Sequence, residues 1–97
     1  MKMRVYTYLQ TIPKGRVVTY GQIAEHLGDK NLARAVGNVL HNNPDPEKYP
    51  CYKVVNARGC LATHFAFGGV EGQRLRLIED GIEVIADRVD LKKYQLK

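Results

Sequence analysis

Long apolar runs and cysteines are both scarce in this sequence. No segment approaches the roughly 20 apolar residues of a membrane-spanning helix. The first residues, 1–4, lead directly into amphipathic sequence rather than into the apolar core of a signal peptide. We therefore expect a cytoplasmic protein with reduced thiols and no membrane partner. Two cysteines are too few for a metal site, and the sequence predicts neither a metal nor a cofactor.

Length and net charge limit the domain count and the class of partner. A chain of 97 residues is expected to form one domain, 1–97, with one modest core. Fifteen basic residues against ten acidic ones give a net charge of +5. This charge suits a polyanion such as nucleic acid, but many basic domains bind no polyanion.

The hydrophobic spacing predicts a mainly helical α/β domain. A first helix is expected over residues 1–11, ended by Pro13-Lys14-Gly15. A second is expected from Tyr20 to Leu27 with Thr19 as its N-cap, and a third from Leu32 to about Asn42. Two short helices joined by a glycine-containing turn indicate a helix-turn-helix, whose second helix usually enters the major groove of DNA. An ordinary helical hairpin is the alternative.

The polar face of the third predicted helix favours the DNA-binding alternative. It carries Arg34, Asn38 and His41, with small Ala33 and Gly37 between them. A helix face with short side chains can approach the backbone of another molecule closely, and the long side chain of Arg34 would then project from that face.

The second half of the chain predicts a wing, a further helix and a short tail. Residues 54–56 and 60–61 flank Ala57-Arg58-Gly59, which suggests a β-hairpin of the kind found in a winged helix-turn-helix. A helix is expected from Gln73 to Asp80, with Leu75 and Ile78 facing inward. The tail, 82–97, is expected to form a strand pair or a final helix.

The stretch Tyr49-Pro50-Cys51-Tyr52-Lys53-Val54-Val55 is the candidate reactive segment. Pro50 restricts the backbone before Cys51, and the valine pair predicts a buried strand after it. A thiol held at the mouth of a strand can act as a nucleophile. The alternative is that Cys51 is a small buried hydrophobic residue, as most free cysteines are.

Five ordered motifs together resemble the C-terminal domain of the alkylguanine-DNA alkyltransferases, also called methylated-DNA–protein-cysteine methyltransferases. The resemblance covers residues 1 to about 81. It suggests a short family member without the separate N-terminal domain, or one of the alkyltransferase-like proteins, which bind damaged DNA without repairing it. The motifs are Ile12-Pro13-x-Gly15-x-Val17-x-Thr19-Tyr20-Gly21-x-Ile23-Ala24, Ala33-Arg34-Ala35-Val36-Gly37, Asn43-Pro44, Pro50-Cys51-x-x-Val54-Val55 and Gly68-Gly69.

The resemblance implies a role for each matching position. Cys51 would accept the alkyl group, Asn43 would order the turn beside it, and Asp80 or Glu79 would be the acid that orients the family's histidine. Tyr20 would promote rotation of the damaged nucleotide. Arg34 would fill the position in the base stack that the rotated nucleotide leaves. The residues expected to contact DNA are Thr19, Tyr20, Gly21, Ala33, Arg34, Gly37, Asn38 and Lys53. The residues expected in the substrate pocket are Tyr20, Phe67 and Gly68.

Two departures from the family pattern bear on activity. Tyr52 and Lys53 replace the His and Arg of the family's Pro-Cys-His-Arg-Val motif. A tyrosine is a poor base at neutral pH, although Tyr52 would still be able to relay a proton or hold a water, and Lys53 to stabilise a thiolate. The loop at 61–69 is about two residues longer than the family's, and His64 within it is a candidate source of the missing imidazole.

These features together predict a monomeric DNA-repair enzyme that acts by direct reversal. It would flip an alkylated guanine out of duplex DNA and transfer the alkyl group to Cys51 in a single turnover. The alternative is a non-catalytic sensor that flags the lesion for excision-repair proteins. Retention of Cys51 favours the enzyme, because the non-catalytic relatives usually have Trp there, and loss of the histidine favours the sensor. A plain transcription regulator would leave the cysteine stretch without a role.

Overall fold

A bundle of short helices joined by a two-strand sheet makes up the protein, as seen in a computed structural model that describes residues 1–63 and 65–97. The mainly helical α/β class predicted from the sequence is confirmed. None of the described helices is long and apolar enough to cross a membrane. In chain order the elements are α1 (Lys2–Gln10), β1 (Val18–Thr19), α2 (Tyr20–His26), a 3-10 turn (Lys30–Leu32), α3 (Ala33–His41), a second 3-10 turn (Cys51–Lys53), β2 (Val54–Val55), α4 (Gly69–Glu79) and α5 (Leu91–Tyr94).

The predicted helix pair is present as α2 and α3. A reciprocal capping box starts α2: the Thr19 hydroxyl accepts from the Gln22 N–H (3.1 Å), and the Gln22 side chain accepts from the Thr19 N–H (2.9 Å). The turn between the helices closes on Asp29, whose carboxylate caps the 3-10 turn through the Asn31 N–H. Helix α3 buries Val36 and Leu40 against α1 and α2, which fixes its polar face toward solvent.

The predicted hairpin after the helix pair is wrong. Strand β2 pairs in parallel with β1, with Val18 opposite Val54 and Thr19 opposite Val55. Residues 56–60 only form a tight turn, and Cys60 forms an antiparallel bridge with Arg88 instead. The parallel pairing needs a partner 36 positions away in the sequence, which a local turn signal does not reveal.

Helix α4 starts four residues earlier than predicted, and its inward face differs. Gln73 and Leu77 are buried, whereas Leu75 and Ile78 are 53% and 51% exposed, so the prediction that the latter two face inward is wrong. The early start depends on Gly72, where a Cβ would lie 2.3 Å from the Phe67 carbonyl oxygen. Only glycine therefore lets the first turn of α4 pack on the preceding loop.

The tail contains both structures that the sequence left open. Residues Ile85 and Arg88 pair across a tight turn, and α5 follows. Leu96 donates from its N–H to the Val17 carbonyl (2.8 Å), which ties the end of the chain to β1.

Two hydrophobic clusters meet at the sheet. One joins α1, α2 and α3 and includes Cys51 and Val54, and the other joins Val55 to α4 and the tail. Because Val54 and Val55 point to opposite faces of β2, the segment that starts at Cys51 lies at the boundary between the clusters.

Candidate active site

Cys51 begins a single 3-10 turn directly before β2. Its N–H donates to the Tyr49 carbonyl at 2.7 Å, which closes a tight bend around Pro50. The side chain is 5% exposed, and both cysteines are free thiols. The bend aims Cys51 into a pocket rather than into solvent.

Asn43 organises the loop that delivers Cys51. Its side-chain N–H donates to the Tyr49 carbonyl (2.7 Å), and its side-chain oxygen accepts from the Asp45 N–H (3.0 Å). Asn43 also partly offsets the rise in the pKa of the Cys51 thiol. This arrangement fits the role that the resemblance implied for Asn43.

Burial leaves the Cys51 thiol harder to ionise than a free cysteine. Desolvation raises the pKa of Cys51, and the hydrogen bond from Asn43 and the positive charge of Arg76 offset that rise only in part. Because a thiolate is the reactive form, the site holds a protonated nucleophile at neutral pH and needs a proton acceptor.

Tyr52 does not supply that acceptor. Burial, followed by the negative charge of Asp80, raises the pKa of Tyr52 to about 12. Its side chain lines a separate depression with Asp80, Glu47 and Arg76, not the pocket that contains Cys51. Tyr52 therefore keeps its proton under physiological conditions.

Lys53 turns inward, which contradicts its predicted contact with DNA and its predicted support of a thiolate. Its Nζ donates to the carbonyls of Ile12 (3.2 Å) and Pro13 (3.3 Å) and lies 3.5 Å from the Asp80 carboxylate. Asp80 also accepts from the Gly15 N–H at 2.9 Å. The two side chains are 7% and 11% exposed. Lys53 and Asp80 thus anchor the reactive turn to the loop after α1.

The pocket above Cys51 has a volume of about 380 Å³. Helix α3 supplies one wall through Gly37, Asn38 and His41, and Tyr20 borders it from the start of α2. A Cβ at Gly37 would meet nothing within 4 Å, so this wall is open. The remaining lining residues are Leu40, Val54, Ala62, Thr63, Phe65, Ala66 and Gln73.

Of the three residues predicted to lie in a substrate pocket, Tyr20 lines the pocket that contains Cys51, and Phe67 and Gly68 do not. Phe65 and Ala66 line the pocket in place of Phe67 and Gly68. Phe67 packs edge-on against Phe65, with ring centroids 5.7 Å apart, and so supports the lining from behind. Gly68 instead forms the start of α4 with a φ of 107°.

The predicted DNA-contacting residues divide into surface and internal positions. Arg34 and Asn38 are exposed on α3, and Ala33, Gly37, Tyr20 and Gly21 are partly exposed. Thr19 is 8% exposed, and its hydroxyl accepts from the Gln22 N–H as the cap of α2. Arg34 has no ion pair or side-chain hydrogen bond with any residue that the structure describes.

The sequence did not single out Gln73 or Phe65 as site residues. Gln73 is fully buried; it donates to the carbonyls of Tyr52 (3.0 Å) and Val54 (2.9 Å) and accepts from the Ala62 N–H (2.7 Å). A glutamine between Gly72 and Arg74 carries no signal of such burial. His64 lies outside the described residues, and its predicted role stays a prediction. Across residues 1–63 and 65–97, no group of three potential ligands could hold a metal ion.

The family model that matches the chain over residues 1–82 is the DNA-binding domain of 6-O-methylguanine DNA methyltransferase. The chain belongs to this family. A bifunctional methyltransferase/endonuclease of Picrophilus torridus is 44% identical over 94% of this chain, which spans only 30% of that relative. A DNA base-flipping protein of Vibrio parahaemolyticus is 34% identical, with 96% of this chain and 92% of the relative covered.

Solved structures agree with the family assignment. S. pombe Atl1, in complex with damaged DNA containing O6-carboxymethylguanine, superposes with a TM-score of 0.87 at 32% identity. The match covers 99% of this chain and 94% of Atl1. The recognised resemblance and the helix-turn-helix fold are therefore confirmed.

Proposed function

We propose that this chain repairs duplex DNA by taking the alkyl group from a 6-O-alkylguanine onto Cys51 Sγ. The observation that carries the proposal is the pocket: Cys51 lines it, and so do residues of the predicted recognition helix α3. A base rotated out of a duplex held against α3 would enter this pocket directly. The similar structure of S. pombe Atl1, a complex with damaged DNA, supports the choice of partner.

Base extrusion is the first requirement, because the alkylated oxygen lies inside the duplex. Extruding a nucleotide costs a few kcal/mol. Arg34 is exposed on the first turn of α3, and its planar guanidinium can stack in the vacated position and offset part of that cost. Tyr20, at the pocket's edge, is placed to meet the backbone of the rotated nucleotide.

Alkyl transfer is a single displacement. Cys51 Sγ loses its proton and forms a bond to the alkyl carbon, the bond from that carbon to the guanine oxygen breaks, and the guanine takes up a proton. The product is normal guanine and a thioether on Cys51, for which the site offers no cleavage chemistry. Each protein molecule therefore repairs one lesion, and it acts as a monomer.

A non-catalytic lesion sensor is the second candidate. The protonated Tyr52 and the raised pKa of Cys51 favour it, because both work against thiolate formation. A sensor would use the same pocket and the same Arg34 to hold the flipped base, and would then recruit excision-repair proteins.

Intact-protein mass spectrometry after incubation with a methylated duplex separates the two functions. We expect one added methyl group, located on Cys51 by peptide mapping, with Cys51→Ser unmodified and Cys60→Ser modified like the wild type. An unchanged mass while the same duplex is demonstrably bound would reject the enzyme and leave the sensor.

A further inference from the structure

The pocket above Cys51 contains few groups that could take up a proton. Among its described lining residues there is no carboxylate, and the ionisable side chains are Tyr20, His41 and Cys51 itself. Burial, followed by the proximity of Cys51, raises the pKa of Tyr20, so this phenol stays protonated at neutral pH. The Asp80 carboxylate is committed to Lys53 and Gly15 on the other side of the reactive turn.

His41 is the remaining candidate by position and by chemistry. It is the last residue of α3, its side chain is exposed, and it borders the same pocket as Cys51. An imidazole is the side chain whose ordinary titration range lies near neutral pH.

We propose that His41 accepts the thiol proton of Cys51, and so takes over the task that the family's histidine performs from the position now occupied by Tyr52. The part of this inference that concerns alkyl transfer rests on the proposed function. The proton transfer from Cys51 to His41 involves only the protein and needs no DNA. The proton leaves Sγ and reaches a ring nitrogen of His41 through water in the pocket, which at about 380 Å³ has room for several molecules of roughly 30 Å³ each. Sγ then attacks the alkyl carbon, and the departing guanine regains a proton from the imidazolium.

Other charged and ionisable groups near the thiol set the background for a pH profile. Tyr6 from α1 and Tyr20 from α2 interact with Cys51, and Arg76 from α4 favours its ionised form. Phenols, thiols and guanidinium groups ordinarily titrate well above neutral pH, whereas an imidazole does so near it. A rate that changes near neutral pH would therefore report a histidine.

The test measures alkylation of Cys51 by iodoacetamide without DNA, from pH 5.5 to 9.5, with peptide mapping to separate Cys51 from Cys60. The wild-type rate should rise through the neutral range, in which an imidazole ordinarily becomes able to accept a proton. The rate for His41→Gln should lose this rise and fall about 100-fold or more at pH 7, in the range typical of general-base assistance. His26→Gln is the matched control, because His26 is an exposed histidine at the end of α2 that stacks on Tyr8, outside this pocket.

Equal rates and equal pH profiles for the wild type and His41→Gln would overturn the inference. Loss of the rise in His64→Gln but not in His41→Gln would overturn it as well, in favour of the loop histidine. The same variants are then compared in single-turnover methyl transfer at saturating DNA. Wild-type protein that transfers no methyl group at any pH rejects the proposed enzyme, while the iodoacetamide profile still decides the role of His41.

Discussion

Replacing Lys53 by Met tests whether an internal ion pair holds the reactive turn in place. Methionine keeps most of the apolar stem of lysine but removes the ammonium group, which contacts two carbonyls and the Asp80 carboxylate. Asp80 would then be left 11% exposed without its cation. Removing one partner of a buried pair typically costs about 3–5 kcal/mol, because the other charge is left uncompensated.

The expected loss lies at the lower end of that range. Asp80 keeps its hydrogen bond from the Gly15 N–H, so we expect Lys53→Met to lower the free energy of unfolding by about 3 kcal/mol. For a chain of this length, that corresponds to a fall in Tm of roughly 12–24 °C. Urea denaturation followed by circular dichroism gives the free energy, and differential scanning calorimetry gives Tm.

Two controls define the outcome. Glu47→Gln breaks the Arg76–Glu47 pair, in which Glu47 is 84% exposed, and should cost well under about 1 kcal/mol. The double variant Lys53→Met/Asp80→Asn removes both charges and should be at least about 1 kcal/mol more stable than the sum of the single effects predicts. A loss below about 1 kcal/mol for Lys53→Met, or additive single effects, would refute the buried pair and restore Lys53 as a surface cation.

Three further predictions concern DNA binding and the support of the pocket. Arg34→Ala should lose most methyl transfer, or most discrimination for the lesion, but little affinity for undamaged DNA. Equal losses of affinity for damaged and undamaged DNA, with an unchanged single-turnover rate, would make Arg34 an ordinary surface cation. We expect the protein to contact about four to six phosphates, so that the logarithm of the DNA-binding constant falls linearly with the logarithm of the salt concentration, with a slope of about −0.9 per contact. An affinity that does not depend on salt, or that is specific for one operator-like sequence, would contradict this. Gln73→Met should cost about 2–4 kcal/mol in urea denaturation, because it removes the side-chain partner of one buried backbone carbonyl and of two partly buried backbone groups. A cost within 0.5 kcal/mol, roughly that of a surface substitution, would contradict the buried role of Gln73.

Local signals predicted the helix pair well. The N-cap at Thr19 and the apolar positions Val36 and Leu40 depend on spacing within one or two turns, and the structure confirms them. The same local logic failed at Leu75 and Ile78, because a helix of 11 residues can bury either of two faces. Which face is buried depends on the partners of Gln73, and those lie 11 to 21 positions away.

The reactive turn shows why a motif match alone could not assign every role. Cys51, Tyr52 and Lys53 follow one another in a single 3-10 turn, so their side chains leave the backbone in three different directions. Cys51 lines the pocket, Tyr52 lines a separate depression, and Lys53 is buried. Position in the motif predicted that all three would serve the reaction.

The chemistry of the site therefore depends on which segments the fold adds around that turn. Helix α3 ends at His41 only ten positions before Cys51, and the Asn43 loop folds back so that both border one pocket. A family histidine directly after the cysteine would be held by the turn itself, whereas His41 is held by a separate helix.

If His41 is the proton acceptor, its distance from Sγ depends on the packing of α3 against the core and on the Asn43–Tyr49 hydrogen bond. Asn43→Ala should then slow the iodoacetamide reaction at pH 7, and an Asn43→Ala/His41→Gln double variant should be slowed by less than the product of the two single effects, because only the direct effect of Asn43 on the thiol pKa is left to lose. A double variant slowed by the product of the two single effects would show that Asn43 acts on the thiol independently of the helix.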